Sequence, residues 1–124
     1  MVNDMNDSIL DTIKQMLGGL DSEEDTAFDT DIIVHINSAF GVLEQLDIGP
    51  SGGFFITDNS SKWSDYSTNE KQIHLVKTYI YLFVRKTLDP PSSGFVLDAI
   101  NKDLKEYEWR LNVMANNAHN YTNV

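Results

Sequence analysis

The pattern that most constrains this chain is a set of apolar residues recurring every third or fourth position in four stretches, the first three cut off by glycine or proline and the last by a polar, Asn-rich tail. Spacing of this kind puts the apolar side chains on one face of an α-helix, and such a face is stable only when buried against another. The first stretch, about Ser8 to Leu17, carries Ile9, Leu10, Ile13, Met16 and Leu17. Asp7 or Ser8 can cap it, Asp11 suits the positive end of its dipole, and Gly18-Gly19 stops it. The second, Asp31 to Leu46, carries Ile32, Ile33, Ile36, Ala39, Phe40, Leu43 and Leu46, with Asp29 or Thr30 as its cap. The third, Glu70 to Leu88, carries Ile73, Val76, Ile80, Phe83, Val84 and Thr87 and is widened by Tyr79, Tyr81 and Leu82, so it should be the most buried. Asp89-Pro90-Pro91 ends it, because proline lacks the helical N–H donor and disfavours helical angles at the preceding residue. The fourth, Ser93 to Met114, has a narrower seam of Val96, Ile100, Leu104, Tyr107, Leu111 and Met114.

These patterns predict a mainly α fold: a compact bundle of four helices with a long central loop. Within Asp47 to Asn69, the run Phe54-Phe55-Ile56-Thr57 is β-prone, so a short strand or hairpin is expected there, with Trp63 packed back on the helices. The core should contain Ile36, Phe40, Leu43, Ile80, Phe83, Val84, Ile100, Leu104, Tyr107 and Leu111. At 124 residues and 41% hydrophobic content, one domain over 1–124 is the natural reading, with flexible termini at about 1–6 and 115–124. The central loop and the Asn-rich tail are expected to become ordered on assembly.

Charge is unevenly distributed. Residues 1–47 contain 11 acids and a single base, Lys14, whereas residues 48–124 contain 8 of each, so the net −10 comes from the first part alone. Phosphate binding needs clustered Lys and Arg, so tight nucleic-acid binding is not expected of this chain alone. With no cysteine, disulfides, zinc-thiolate sites and a cysteine nucleophile are excluded. The start, MVNDMNDSIL, has neither a basic nor an apolar signal region, and no membrane span is expected.

No motif announces chemistry. The acidic stretch from Asp21 has Thr26 where an EF-hand turn needs glycine and Ile32 where it needs a bidentate Glu. His35, His74 and His119 lie in three segments without ligand spacing. No serine stands in a G-x-S-x-G elbow, and Gly49-Pro50-Ser51-Gly52-Gly53 lacks the lysine of a P-loop. The row Asp98, Lys102, Glu106, Arg110 reads as a solvated helix face. Neither catalytic residues nor metal or cofactor ligands are expected.

Taken together, the segments DSILDTIKQMLG, FDTDIIVHINSAFGVLEQLDIGP, GGFFI with KWSDY, VKTYIYLFVRKTLDPPSSGFVLDAI and KEYEWRLNV resemble the head-tail connector, or neck adaptor, proteins of tailed bacteriophages. The resemblance spans about Ser8 to Val113. It implies a helical subunit without enzymatic activity or cofactor that forms a ring, usually twelve-fold, beneath the portal. The implied partners are further copies of the chain, the portal protein, a head-completion or tail-completion protein, and DNA passing through the lumen without sequence-specific contact. The implied place is the virion neck, after assembly in the host cytoplasm. A ring needs two different surfaces that fit head to tail. Acids near Asp11, Asp31 and Glu44 are expected to meet bases near Lys71, Lys77, Arg85 and Lys86 of the next subunit, and Phe54, Phe55, Trp63 and Tyr66 are expected to make loop contacts. Two rival readings are a small acidic inhibitor that mimics DNA to occupy a basic partner, and an enzyme with a pocket around His35 or His74.

Overall fold

The structure, a computed structural model, describes residues 4–18 and 26–122, with side chains from 5–18 and 26–116. A 3₁₀ turn at Asp4–Asn6 leads into α1 (Ile9–Met16), followed by α2 (Asp29–Gln45), the short α3 (Trp63–Tyr66), α4 (Glu70–Leu88) and α5 (Gly94–Thr122). The architecture is mainly α, as the periodicity predicts. It differs in having a fifth helix inside the central loop and no strand among the described residues.

Helix α4 is the central element, packing against α2 on one side and α5 on the other, with α1 beside it. Ile73, Val76, Tyr79, Ile80 and Val84 of α4 are buried, which explains why its apolar stripe is the widest. Asn69 begins α4 by accepting the backbone N–H groups of Lys71 and Gln72, and Ser93 performs the same role for Val96 in α5. Helix α5 continues past Met114 to Thr122, correcting the expected end of the last helix. The seam that led to that expectation places Leu111 and Ala115 against the core. Tyr79 donates to Glu108 at 2.8 Å, and Asn112 donates to the Leu46 carbonyl at 3.1 Å, tying α5 to α4 and to the end of α2.

The C-terminus of α2 is a Schellman ending: Asp47 N–H bonds the Glu44 carbonyl and Ile48 N–H bonds the Leu43 carbonyl. Asp47 takes the left-handed conformation at φ 62°, where glycine is more usual, and the apolar residue that follows it, Ile48, is buried. At the other end of α2 the expected cap is corrected. The helix begins at Asp29 itself after Phe28, which makes no side-chain cap. Asp29 instead pairs with Lys14 at 2.8 Å, joining α1 to α2, and Lys14 is only 3% exposed. The enclosed Asp29 oxygen has no hydrogen-bond partner, which leaves this ion pair as its contact among the described residues. The one base of the acidic half is thus an internal tether.

Eight of the ten expected core residues are buried, while Phe83 and Tyr107 are only half-buried against the core's edge. Trp63 packs back on the helices as expected, whereas the burial of Tyr66, Ile48 and Ile56 was not expected. Trp63 is fully enclosed, and Tyr66, Ile48 and Ile56 join it in a sub-core that the central loop folds over α1 and α2. Trp63 donates its indole N–H to Thr12 at 3.1 Å, while an isolated antiparallel bridge pairs Ser8 with Lys62. Phe40, Phe54 and Tyr66 form a ring triad with centroids 5.0 to 5.3 Å apart. The loop is therefore ordered by its own chain, correcting the expectation that assembly orders it.

Three outcomes follow from this packing. Phe40→Ala should cost about 3–5 kcal/mol, the usual loss for a buried Phe, and Phe83→Ala clearly less, as read by denaturant titration of each variant. Lys14→Ala should cost about 2–3 kcal/mol by the same measurement, below the usual loss on breaking a fully enclosed pair because Asp29 keeps some contact with water. The Tyr66 hydroxyl is buried without a partner, so Tyr66→Phe should leave stability at pH 7 unchanged or raise it by about 1 kcal/mol. Burial also lifts its pKa well above the ordinary tyrosine value. The unfolded chain therefore releases this proton first as pH rises, so the contribution of this group to stability is constant below about pH 10 and declines above it. In melts across that range the phenylalanine variant should decline less steeply than the parent.

Candidate functional site

Chemistry needs a convergent polar pocket, whereas assembly needs exposed residues suited to contact. Three shallow depressions are formed by described residues. One of ≈ 410 Å³ is apolar and lined by Leu75, Trp109, Arg110, Val113 and Met114. A second of ≈ 420 Å³ lies between Gly49-Pro50 and Ser64 to Thr68, and a third of ≈ 240 Å³ follows the α4/α5 seam at Leu82 and Tyr107. Neither His35 nor His74 lines any of the three. Among the described residues no group of three acids or histidines is placed to hold a metal ion. Residues 21–25 of the acidic stretch considered for calcium lie outside the described residues.

The residues suited to contact are scattered over several faces. Asp31, Glu44, Lys71 and Arg85 are exposed, whereas Asp11 and Lys86 are half-buried. Lys77 lies over the Trp63 ring, 5.6 Å from its centroid, so its charge is engaged within its own chain. Among the described residues, the ion pairs join Lys14 with Asp29 and Arg110 with Glu106 at 3.9 Å, and neither involves a base of α4.

The four loop aromatics separate into two groups. Phe54, Trp63 and Tyr66 turn inward, the last two nearly inaccessible, while Phe55 is 69% exposed. The cause is local. The Asn37 carboxamide, on α2, accepts the Ile56 N–H at 2.8 Å and donates to the Ile56 carbonyl at 2.9 Å. In extended backbone, alternate side chains point to opposite faces, so fixing Ile56 inward presents Phe55 outward. Gly49, at φ 97°, closes the preceding turn against Tyr66, where a Cβ would come 2.5 Å from the phenol oxygen. Beyond it, the Ser60 hydroxyl and N–H both donate to Asp58, holding its carboxyl below its ordinary pKa and therefore charged.

Sequence reasoning missed Phe95, 84% exposed at the start of α5, and Trp109, 66% exposed and beside the apolar depression. Their signal was present: both fall off the apolar seam of α5, at positions where a soluble helix usually carries a polar residue. Large apolar side chains left in water mark contact surfaces more often than catalytic ones.

A search of curated proteins and of solved structures returns no match. Among the described residues no helix is long and apolar enough to cross a membrane. Residues 9–118, from the first residue of α1 almost to the end of α5, match the family described as phage connector proteins, and the chain belongs to that family.

Proposed function

We propose that this chain is a structural subunit of the head-tail connector, assembling into a ring between the portal and the head-completion or tail proteins. The observation that carries the reading is the family match across 9–118, which includes every long helix. A ring subunit catalyses nothing, so the absence of any nucleophile, P-loop or metal-ligand motif in the sequence agrees with it. It resides in the virion neck.

Two features support the ring itself. A heterologous interface needs two dissimilar surfaces, and the acidic first part and charge-balanced second part of this chain are dissimilar. Asp31 and Glu44 on α2 and Lys71 and Arg85 on α4 are exposed and supply opposite charges that a neighbouring copy could pair. Asp11 and Lys86 contribute at the margins, and Lys77 acts through its hold on Trp63. Acids facing the lumen would repel phosphate and let DNA pass, whereas a basic lining would retain it. The rival reading as a DNA mimic has no comparable support once the family is known.

Each exposed pair is worth only ~0–1 kcal/mol, so the effect depends on repetition around the ring. Sedimentation of the parent should show higher oligomers at low salt that dissociate as salt rises. The Lys71→Glu, Arg85→Glu variant should remain smaller at every salt concentration. Equal assembly of parent and variant at all salt concentrations would overturn the electrostatic interface.

A further inference from the structure

Helix α5 carries two seams. The first, through Ile100, Leu104 and Leu111, is buried in the core beside α4. The second runs through Phe95, Ala99, Lys102, Glu106, Trp109 and Val113, in alternating steps of four and three. That spacing keeps all six on one face, and it is the spacing by which one helix packs along another. Five of the six are exposed and Val113 is half-buried.

The second seam is complementary to itself when reversed. Turned end for end about a point level with Leu104, it sets Phe95 opposite Val113, Ala99 opposite Trp109 and Lys102 opposite Glu106. Each match is favourable. Lys102 meets an acid, and two-fold symmetry makes that pair twice. Glu106 is more than half exposed and holds Arg110 of its own chain only loosely, at 3.9 Å, so it is accessible to a partner's base. Ala99 leaves room for Trp109, since closely packed helices set small residues opposite large ones. Phe95 comes level with the apolar depression of ≈ 410 Å³ that Leu75, Trp109, Val113 and Met114 line. A parallel pair in register would instead set Lys102 on Lys102 and Glu106 on Glu106, which like charges disfavour. We propose that this face of α5 binds the same face of a second copy, antiparallel, about a two-fold axis level with Leu104. The contact is isologous and closes on two copies, whereas a ring needs a heterologous one, so the inference does not rest on the ring reading. It covers Phe95 and Trp109, two of the large apolar side chains that the single subunit leaves in water.

The test is sedimentation equilibrium of the full chain carrying Lys71→Glu and Arg85→Glu, which removes the proposed ring contact and leaves α5 unaltered. Physiological salt is used, because it screens charges farther apart than ~8 Å while pairs in contact persist. A dimer is expected. Adding Lys102→Glu alone, or Glu106→Lys alone, should weaken it about tenfold by setting like charges opposite each other. Mixing those two variants should restore a heterodimer, because each copy then supplies the charge that the other lacks. Trp109→Ser should also weaken the dimer about tenfold, with circular dichroism confirming that the helices are intact. A nitroxide on Ser92→Cys, in a chain with no other cysteine, should report a separation of roughly 35 Å, because the labels lie beyond opposite ends of the paired segment. A monomer at every concentration, or a dimer indifferent to all three substitutions, would overturn the α5 contact. A mixture no tighter than its components, or labels closer than about 20 Å, would overturn the antiparallel register.

Discussion

The arrangement of the central loop depends on one side chain. Asn37 sits on α2 and closes both backbone groups of Ile56, a residue 19 positions away in sequence. A buried peptide group without partners is costly, so a loop folded over a core must find them. By satisfying that peptide from a helix, the chain avoids building a sheet in an otherwise helical fold. The same bond sets the register: Phe54 goes in to meet Phe40 and Tyr66, Ile56 goes in, and Phe55 goes out.

From this point order extends in both directions along the chain. Toward the N-terminus, the loop's later residues seat Trp63 on Thr12 and pair Lys62 with Ser8, holding α1 in place. Lys14 at the other end of α1 then reaches Asp29, so the short helix is fixed at both ends. An isolated helix of 8 residues has little stability of its own, because nucleation is unfavourable and few propagating bonds follow. Here it is held by tertiary contacts. A connector subunit gains from this arrangement, since a surface that is already formed loses less conformational entropy on assembly than one that must fold first.

The division between inward and outward aromatics also bears on how the family reading and the surface relate. The helices common to the match supply the frame, while the exposed residues Phe55, Phe95 and Trp109 lie in the central loop and at two separate places along α5. A protein that contacts several neighbours needs several such surfaces. The first lies in the loop, the second at the turn after Pro90-Pro91, and the third beside Leu75 near the C-terminal half of α5.

Much of this was legible in the sequence. The helical period of Ile32, Ile36, Phe40 and Leu43, or of Ile73, Val76, Ile80 and Val84, reports one buried face because helix geometry alone places those residues together. The Asp89-Pro90-Pro91 stop, the Ser8 cap and the uneven charge are likewise local properties of the chain. The loop was not legible. Its β-prone run was read as a short strand or hairpin, but whether such a run becomes a strand depends on what lies alongside it, and Asn37 carries no local sign of its role there. For the same reason Asp29 appeared to be a cap until Lys14 was found beside it. Local periodicity and charge follow from neighbours in sequence and are fixed by the sequence itself. Which polar group satisfies which, and therefore which aromatic faces water, follows from neighbours in space, and only the tertiary structure decided it.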